Sequence, residues 1–294
     1  MPRLLRNLLA LLVVGTLWGL TPALAKLSLA EGMRPLGVAS LATAVAAVVL
    51  YCVAAARGQA PPTDRAHLRQ YVAGGVVGVA FAHLFAFTGL QHAPAGLFAL
   101  LVPLSGVFTM LFFALAGVER ATRRRLLGAA LGMAGVALAM APGAAMPDPA
   151  MLPWAALMVL TPLCYAASNL FSVILAVRGT PPLAQASGTV IAAAIGAALF
   201  AWPLGHLGLP PHGKVAALLL AQGCATALAY LFYFRLLVEA GGVFTSQTAY
   251  VITLAGMSWG FLLFGEVPGW LTIPAAALIF GGVALVTLAR PARS

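Results

Sequence analysis

The chain has 294 residues, of which 62% are hydrophobic and 7% are charged, and its formal net charge is +10. A mean hydropathy of +1.02 excludes an ordinary soluble domain, because about 25% of the residues in soluble domains are charged. A strongly basic chain can bind nucleic acid, so the positions of the charges have to decide what they mean.

Long apolar stretches follow one another along the whole chain. About 20 consecutive apolar residues form a helix that crosses a bilayer, and the sequence predicts ten such spans, numbered here in chain order. Their continuity predicts an all-α integral membrane protein. They cover residues 7–29, 35–56, 69–91, 94–116, 125–141, 152–176, 183–204, 213–238, 244–265 and 269–289.

The basic residues are distributed unevenly between the loops. If the N-terminus is cytoplasmic, only Lys26, Arg34 and Lys214 of the 16 lysines and arginines lie toward the other side. An excess of basic residues on the cytoplasmic side is typical of plasma-membrane proteins. We therefore predict a multi-pass protein of the bacterial inner membrane with both termini cytoplasmic. The charge, including that of the segment after Glu119, is assigned to topology and lipid headgroups and not to nucleic acid.

The chain repeats itself at half of its length. The string GVAL begins at Gly135 and again at Gly282, which are 147 residues apart. We therefore predict two repeats, residues 1–147 and 148–294, with five spans each. The same offset aligns further residues without gaps: Gly32 with Gly179, Pro35 with Pro182, Ser40 with Ser187, Phe87 with Phe234, and Glu119 with Glu266.

An odd number of spans in each repeat predicts that the second repeat is inverted relative to the first. Two similar halves that are related by an axis in the membrane plane can open one shared site to each side in turn. Inverted repeats of this kind are common in secondary transporters. The repeat is therefore an argument about function as well as about fold.

Four short motifs lie at span ends or within spans. They are LWGLTPALAK at Leu17 to Lys26, GVE at the end of span 4, GE at the end of span 9, and GVAL in spans 5 and 10. Together, and over essentially the whole chain, they resemble the drug/metabolite transporter (DMT) superfamily, specifically its ten-span EamA-type exporters. The resemblance implies the DMT transporter fold and the export of small metabolites, with amino acids or related amphipathic compounds as the expected substrates.

Few ionisable groups are predicted at membrane depth. The acids lie in loops or at span ends, and no GxxxxGK[ST] phosphate loop is present. A membrane enzyme would need convergent acids, histidines or cysteines in the interior, so we predict no enzyme, no catalytic residue, no metal and no cofactor. The three cysteines are expected to be reduced and packed. The acids are Glu31, Asp64, Glu119, Asp148, Glu239 and Glu266, and the cysteines are Cys52, Cys164 and Cys224.

Uncharged polar and aromatic residues recur in the spans at helical spacing. In span 8, Gln222, Thr226, Tyr230 and Tyr233 advance by four, four and three residues and so share one helix face. The offset of 147 residues pairs Trp18 with Tyr165 and His83 with Tyr230. We predict that such residues line a path for a small-molecule substrate. The full set of candidate substrate-binding residues is Trp18, Lys26, His83, Tyr165, Asn169, Gln222, Tyr230, Gln247 and Tyr250.

Other interpretations of these residues stay open. Lys26 can extend its ammonium group to the interface, and His83 can be a packing residue. Pro22, Pro103 and Pro162 are predicted hinges, since proline bends a helix, with simple packing kinks as the alternative. The alternative functions are an exchanger or uptake carrier for a nucleotide-linked or phosphorylated solute, and a membrane scaffold without transport. Membrane lipid is the other expected partner. The sequence does not indicate whether the protein is a monomer or an oligomer.

Overall fold

A computed structural model describes residues 3–119, 122–141, 144–146 and 148–288. Within these residues the chain forms the ten spans in chain order, joined by short connections. Arg290 and Arg293, which the topology prediction places in the cytoplasm, lie outside the described residues. The helices are Arg3–Ala30, Pro35–Ala56, Arg65–Val72, Ala73–Ala80, Phe81–Leu90, Ala95–Leu101, Leu104–Leu115, Arg123–Ala139, Pro149–Met151, Leu152–Ile174, Pro182–Ala201, Gly213–Ser246, Thr248–Phe264 and Thr272–Leu288.

The helices are long and apolar enough for a membrane. Among the described residues, seven helical segments have at least 18 residues and the hydropathy of a membrane span, and Thr248–Phe264 and Thr272–Val286 are shorter apolar helices. Span 5, Arg123–Ala139, has 17 residues and begins with three arginines. About 20 residues at 1.5 Å each match the hydrocarbon thickness of a bilayer. The prediction of an all-α membrane protein with ten helices is confirmed.

The packing of the spans follows the repeat. Span 1 packs against spans 8 and 9, and its equivalent, span 6, packs against spans 3 and 4. Span 2 packs against its own equivalent, span 7, and span 5 packs against span 10. When the two repeats are exchanged, each of these contacts is therefore replaced by another contact of the set or is left unchanged. This is the pattern that a pseudo-twofold axis between two five-span halves produces.

Spans 5 and 10 approach each other through the glycines of the repeated motif. A Cβ atom added to Gly282 would lie 2.5 Å from the carbonyl oxygen of Gly128 and 2.5 Å from the amide nitrogen of Gly132. Atoms of these types pack at roughly 3.5 to 4.0 Å, so no side chain fits between the two backbones. Small residues at crossings let membrane helices pack closely.

Two spans of the first repeat depart from a regular α-helix. Span 3 contains a π-helix at Ala73–Ala80, and span 4 is interrupted between Leu101 and Leu104, next to Pro103. The helices of spans 1 and 6 continue through Pro22 and Pro162. Of the three predicted hinges, only Pro103 therefore coincides with a break in its helix, and the hinge role of all three stays a prediction.

Spans 8 and 9 are joined by a single non-helical residue. Gly241 has φ 80° and ψ 167°, which glycine adopts at little cost because it has no Cβ. The equivalent residue of the first repeat, Pro94, is also extended, with φ −63° and ψ 143°. Span 9 therefore begins at residue 242 and span 4 at residue 95, at equivalent positions of the two repeats.

One end of the bundle carries contacts between arginines and acids, and we call it the arginine face. Glu239, at the end of span 8, pairs with Arg6 and Arg235, in each case at 2.8 Å. Glu119, in the connection after span 4, pairs with Arg125 at 2.6 Å. These contacts join the ends of spans 1, 4, 5 and 8, as expected if these ends share one side of the membrane.

The opposite end carries two contacts between lysines and acids, and we call it the lysine face. Glu31 pairs with Lys214 and lies 3.2 Å from His212. Lys26 pairs with Glu266 at 2.7 Å. These residues lie at the ends of spans 1, 8 and 9 opposite to those on the arginine face, so the two faces separate the two groups of connections.

Asp64 links the start of span 3 to the connection before span 7. Its carboxylate accepts hydrogen bonds from the backbone amides of Ala66 and His67 and contacts Nδ1 of His67. Nε2 of His67 lies 2.8 Å from the hydroxyl oxygen of Thr180. These hydrogen bonds, above all the one from the His67 side chain, lower the pKa of Asp64 below its ordinary value.

We expect the melting temperature of Asp64→Asn to fall less in acid than that of the wild type. A carboxylate whose pKa is lowered by folding stabilises the fold above its unfolded pKa of about 3.9, and loses that contribution as the pH falls through the folded pKa. The wild-type melting temperature should therefore fall more steeply below about pH 4 than that of Asp64→Asn, measured in detergent from about pH 3 to 7. Asp64→Ala, which also removes the cap of span 3, should melt lower at every pH. Parallel curves for the wild type and Asp64→Asn would contradict this role.

Candidate functional site

A cavity of about 360 Å³ lies between spans of both repeats. Its volume falls within the range of small-molecule sites, about 300 to 1,000 Å³. Spans 1 to 4 line it from the first repeat and spans 6 to 9 from the second. The polar and aromatic side chains at its surface are Trp18, Thr21, Thr43, His83, Phe87, Phe98, Ser105, Tyr165, Ser168, Asn169, Gln222, Thr226, Tyr230 and Tyr233.

The cavity lies on the axis that relates the two repeats. Many lining residues have an equivalent, 147 positions away, that also lines the cavity. A site shared in this way has walls that the two halves can approach or leave in turn. The pairs are Trp18 and Tyr165, Thr21 and Ser168, Pro22 and Asn169, Thr43 and Val190, Val79 and Thr226, His83 and Tyr230, Ala86 and Tyr233, and Ser105 and Ile252.

Aromatic rings form one wall of the cavity. The ring of Trp18 lies 5.2 Å from those of Tyr230 and Tyr233, edge-on to Tyr230. On span 3, the ring of His83 stacks on Phe87 at 4.9 Å. Such contacts fix ring positions and present both apolar surface and electron-rich faces. This wall can therefore bind an apolar group or the face of a cation.

The polar groups of the cavity are uncharged. None of the described residues that line it is Asp, Glu, Lys or Arg. Nδ1 of His83 lies 3.4 Å from the Thr43 hydroxyl, and the Asn169 amide donates to the hydroxyl of Thr109 at 2.9 Å. Gln222 is 3% exposed, and its Oε1 has no hydrogen-bond partner among the described residues.

The structure brings six of the nine candidate substrate-binding residues to the cavity and places three elsewhere. Trp18, His83, Tyr165, Asn169, Gln222 and Tyr230 line it. Of the predicted hinges, Pro22 lines the cavity, while Pro103 and Pro162 do not belong to its lining. The assignment of these residues to substrate binding stays a prediction.

Two of the three candidates outside the lining belong to span 9 or its joint with span 8. The Tyr250 ring packs edge-on against Phe280 at 5.1 Å, and its hydroxyl donates to the Phe280 carbonyl oxygen at 3.5 Å. Tyr250 therefore faces span 10. Gln247 lies within span 9, between the helical segments that end at Ser246 and begin at Thr248, and it is half-buried there.

The third candidate, Lys26, is held at the lysine face. Its Nζ lies 2.7 Å from Glu266 Oε1, donates to the Ala93 carbonyl oxygen at 3.0 Å, and lies 4.8 Å from the centre of the Phe264 ring. The side chains of Lys26 and Glu266 are 22% and 15% exposed. Lys26 neither reaches the cavity lining nor extends freely to the interface, because Glu266 binds it.

The carboxylate of Glu266 also caps the start of span 4. Its two oxygens accept hydrogen bonds from the backbone amides of Ala95 and Gly96 at 2.8 and 2.9 Å. A carboxylate is favourable there, because the first amides of a helix have no partner within the helix. The repeats differ at the position of the lysine that binds Glu266. The residue of the second repeat that is equivalent to Lys26 is Val173.

Sequence reasoning missed several lining residues that the repeat could have identified. Shifting Thr226 and Tyr233 of the span 8 stripe back by 147 positions gives Val79 and Ala86, and shifting Asn169 gives Pro22. All three line the cavity. The side chains of these residues do not themselves indicate a cavity. Only their equivalence to polar residues of the other repeat could have identified them.

Ten apolar spans in two equivalent halves around an uncharged cavity are typical of a secondary transporter. A sequence model of the EamA-like transporter family matches residues 5–141 and again 152–288, two segments that are also offset by 147 residues. The chain belongs to this family, within the drug/metabolite transporter superfamily. It is therefore a multi-pass membrane transporter with two EamA repeats, and its family is not an enzyme family.

Two further comparisons were made, with curated proteins and with solved structures. None of the curated proteins matches it. A solved crystal structure is similar over 96% of this chain and 98% of the other, with a TM-score of 0.65 and 22% sequence identity. At this identity the likeness shows the fold alone.

Proposed function

We propose that the protein exports small metabolites, chiefly amino acids or related amphipathic compounds, across the bacterial inner membrane by alternating access. The observation that carries this proposal is the cavity, to which both repeats contribute equivalent residues. Its aromatic wall suits an apolar side chain, and its hydroxyl and amide groups suit the polar end of the same molecule. Trp18, His83, Tyr165, Asn169, Gln222 and Tyr230 are the proposed substrate contacts.

Gln222 supports a substrate with an N–H donor. A buried acceptor without a partner costs roughly 1 to 3 kcal/mol, and an ammonium or amide group of a substrate would supply the missing donor. The rings of Trp18 and Tyr230 can face a cationic group of a substrate. An uncharged cavity also suits a zwitterion, since a net charge would be buried without a counter-ion.

The cavity gives less support to a phosphorylated or nucleotide-linked substrate. Phosphate groups are normally bound by arginine or lysine side chains or by several backbone amides. No lysine or arginine belongs to the described cavity lining, and the nearest candidate, Lys26, is bound by Glu266. A scaffold without transport would not need a cavity lined by both repeats.

Counterflow in proteoliposomes tests the proposed function directly. Vesicles loaded with an unlabelled amino acid should accumulate the labelled form transiently, and a panel of amino acids should compete with one another. Vesicles without protein are the control. Counterflow of sugar phosphates or nucleotide sugars, with none for any amino acid, would replace the proposal by the exchanger. No counterflow for either class, with intact protein, would favour the scaffold.

The orientation of the chain is part of this proposal and has its own test. We expect Arg123→Cys to react with an impermeant thiol reagent only from the cytoplasm and Val267→Cys only from outside, in a chain without Cys52, Cys164 and Cys224. Both sites suit the reagent, since Arg123 is exposed and Val267 is 79% exposed. The expectation rests on the excess of basic residues on the arginine face. Labelling of both positions from the same side would contradict the inverted arrangement.

A further inference from the structure

The contact of Glu266 joins three spans from both repeats at the lysine face. Lys26 belongs to span 1, Ala95 and Gly96 begin span 4, and Glu266 follows span 9. We call Glu266, Lys26 and the two backbone amides the Glu266 latch. All its distances lie between 2.7 and 2.9 Å, and charge-assisted hydrogen bonds of this length are the strong ones.

The Glu266 latch lies one turn of helix from the cavity. Phe98 and Ala99, which follow the two amides along span 4, line the cavity and are 3% and 2% exposed. Asn169, five residues before the end of span 6 at the arginine face, also lines the cavity and is exposed. The cavity is therefore covered at the lysine face and reaches the surface toward the arginine face.

The repeat places an equivalent carboxylate and equivalent backbone amides at the arginine face. Glu119 is the equivalent of Glu266, and the amides of Gly242 and Val243, after Gly241, are the equivalents of those of Ala95 and Gly96. In this structure the Glu119 carboxylate binds Arg125, and its side chain is 38% exposed. Glu119 is thus in a more open environment than Glu266, which is 15% exposed.

We propose that the Glu266 latch closes the cavity at the lysine face, and that Glu119 closes it at the arginine face in the alternate state by binding the amides at the start of span 9. Exchange of the two repeats converts the carboxylate–amide contacts of one arrangement into those of the other, without a counterpart to Lys26. Breaking one latch and forming the other therefore reverses the face to which the cavity opens. The proposal rests on the proposed transport function and assigns it two gating carboxylates.

Access to a cysteine in the cavity tests the latch without any substrate. Ser105→Cys provides a nearly isosteric reporter on the cavity lining, in a chain without the three native cysteines. The parent should react with an impermeant thiol reagent from the arginine face and hardly at all from the lysine face. Glu266→Gln and Lys26→Met should each raise the rate from the lysine face about tenfold, because each removes the ion pair and so shifts the equilibrium between the two states.

Two variants complete the comparison. Glu31→Gln removes another acid that pairs with a lysine on the same face but has no contact with span 4, and it should leave both rates unchanged. Glu119→Gln should leave the rate from the lysine face low, because it weakens only the opposite latch. The proposal is overturned if Glu266→Gln behaves as Glu31→Gln does, or if Glu119→Gln also raises the rate from the lysine face.

A cysteine pair tests the contact at the arginine face. Glu119→Cys with Gly242→Cys should form a disulfide under mild oxidation, and should form it several times faster when Glu266→Gln is also present. Failure to form this disulfide in either background would overturn the arginine-face arm. Labelling and cross-linking read gating alone, whereas counterflow reads transport. If Glu266→Gln leaves the labelling rates unchanged while the wild type shows counterflow, the latches are rejected. If the wild type shows no counterflow while the labelling changes as expected, the proposed function is rejected.

Discussion

Tyr230→Ala is expected to lower substrate efflux about tenfold or more, whereas Phe232→Ala is expected to leave it near the wild-type rate. Tyr230 lines the cavity and its ring meets Trp18 edge-on at 5.2 Å. Removing it opens the aromatic wall and deletes one of the proposed contacts with substrate. Phe232 follows two residues later, on another face of the same helix, and is 36% exposed beside Leu9 and Val13 in a separate surface groove.

The measurement is efflux of a labelled amino acid from proteoliposomes at equal reconstituted protein. Tyr230→Phe separates the hydroxyl from the ring. A hydrogen bond to substrate is worth about 0.5 to 1.5 kcal/mol net, or roughly a two- to tenfold change in apparent affinity. If Phe232→Ala fails while Tyr230→Ala transports normally, the substrate path does not follow the face of span 8 that lines the cavity.

Gly282→Ala is expected to destabilise the protein strongly, while Gly281→Ala is expected to keep its stability or raise it slightly. A Cβ atom on Gly282 would meet backbone atoms of Gly128 and Gly132 at 2.5 Å, so spans 5 and 10 must separate. Overpacking of this kind typically costs about 1 to 3 kcal/mol. Gly281 is the adjacent residue of the same helix, and an added Cβ there has no neighbour within 4 Å.

Thermal unfolding in detergent compares the two variants under identical conditions. Gly281→Ala controls for the effect of alanine on helix propensity, which favours alanine by about 1 kcal/mol. Melting temperatures that fall by the same amount in both variants would show that the crossing of spans 5 and 10 tolerates a wider separation than the structure indicates.

The spans were predictable because each is a continuous apolar stretch whose length a bilayer dictates. The wall of the cavity could also be predicted from the sequence. Four polar residues of span 8 share one helix face, and the offset of 147 residues maps them onto the other repeat. They are Gln222, Thr226, Tyr230 and Tyr233. The pairing of Lys26 with Glu266 was not, because the two residues are 240 positions apart. Only the crossing of spans 1 and 9 brings them together.

The irregular helices were equally hidden. In the π-helix of span 3, Gly75 packs closely against span 7 and Gly78 against span 6, and helical periodicity does not encode such contacts. Proline indicates where a helix can bend, but Pro22 and Pro162 lie in continuous helices and Pro103 lies at a break. Neighbouring spans decide which of these possibilities is realised.

Val173 at the position equivalent to Lys26 makes the two ends of the carrier unequal in energy. Of the two proposed latches only that of Glu266 contains a lysine, and an ion pair favours the conformation in which it forms. Under the proposed gating, the unloaded protein is therefore expected to rest with its cavity toward the arginine face. A ligand that needs a conformation populated at about 1% shows an apparent affinity about a hundredfold weaker than its intrinsic one. Under the proposed gating, solute presented at the lysine face is expected to bind more weakly than solute presented at the arginine face. The valine would not set the direction of net flux, which the gradients determine, but it would give the carrier a different apparent affinity on each side.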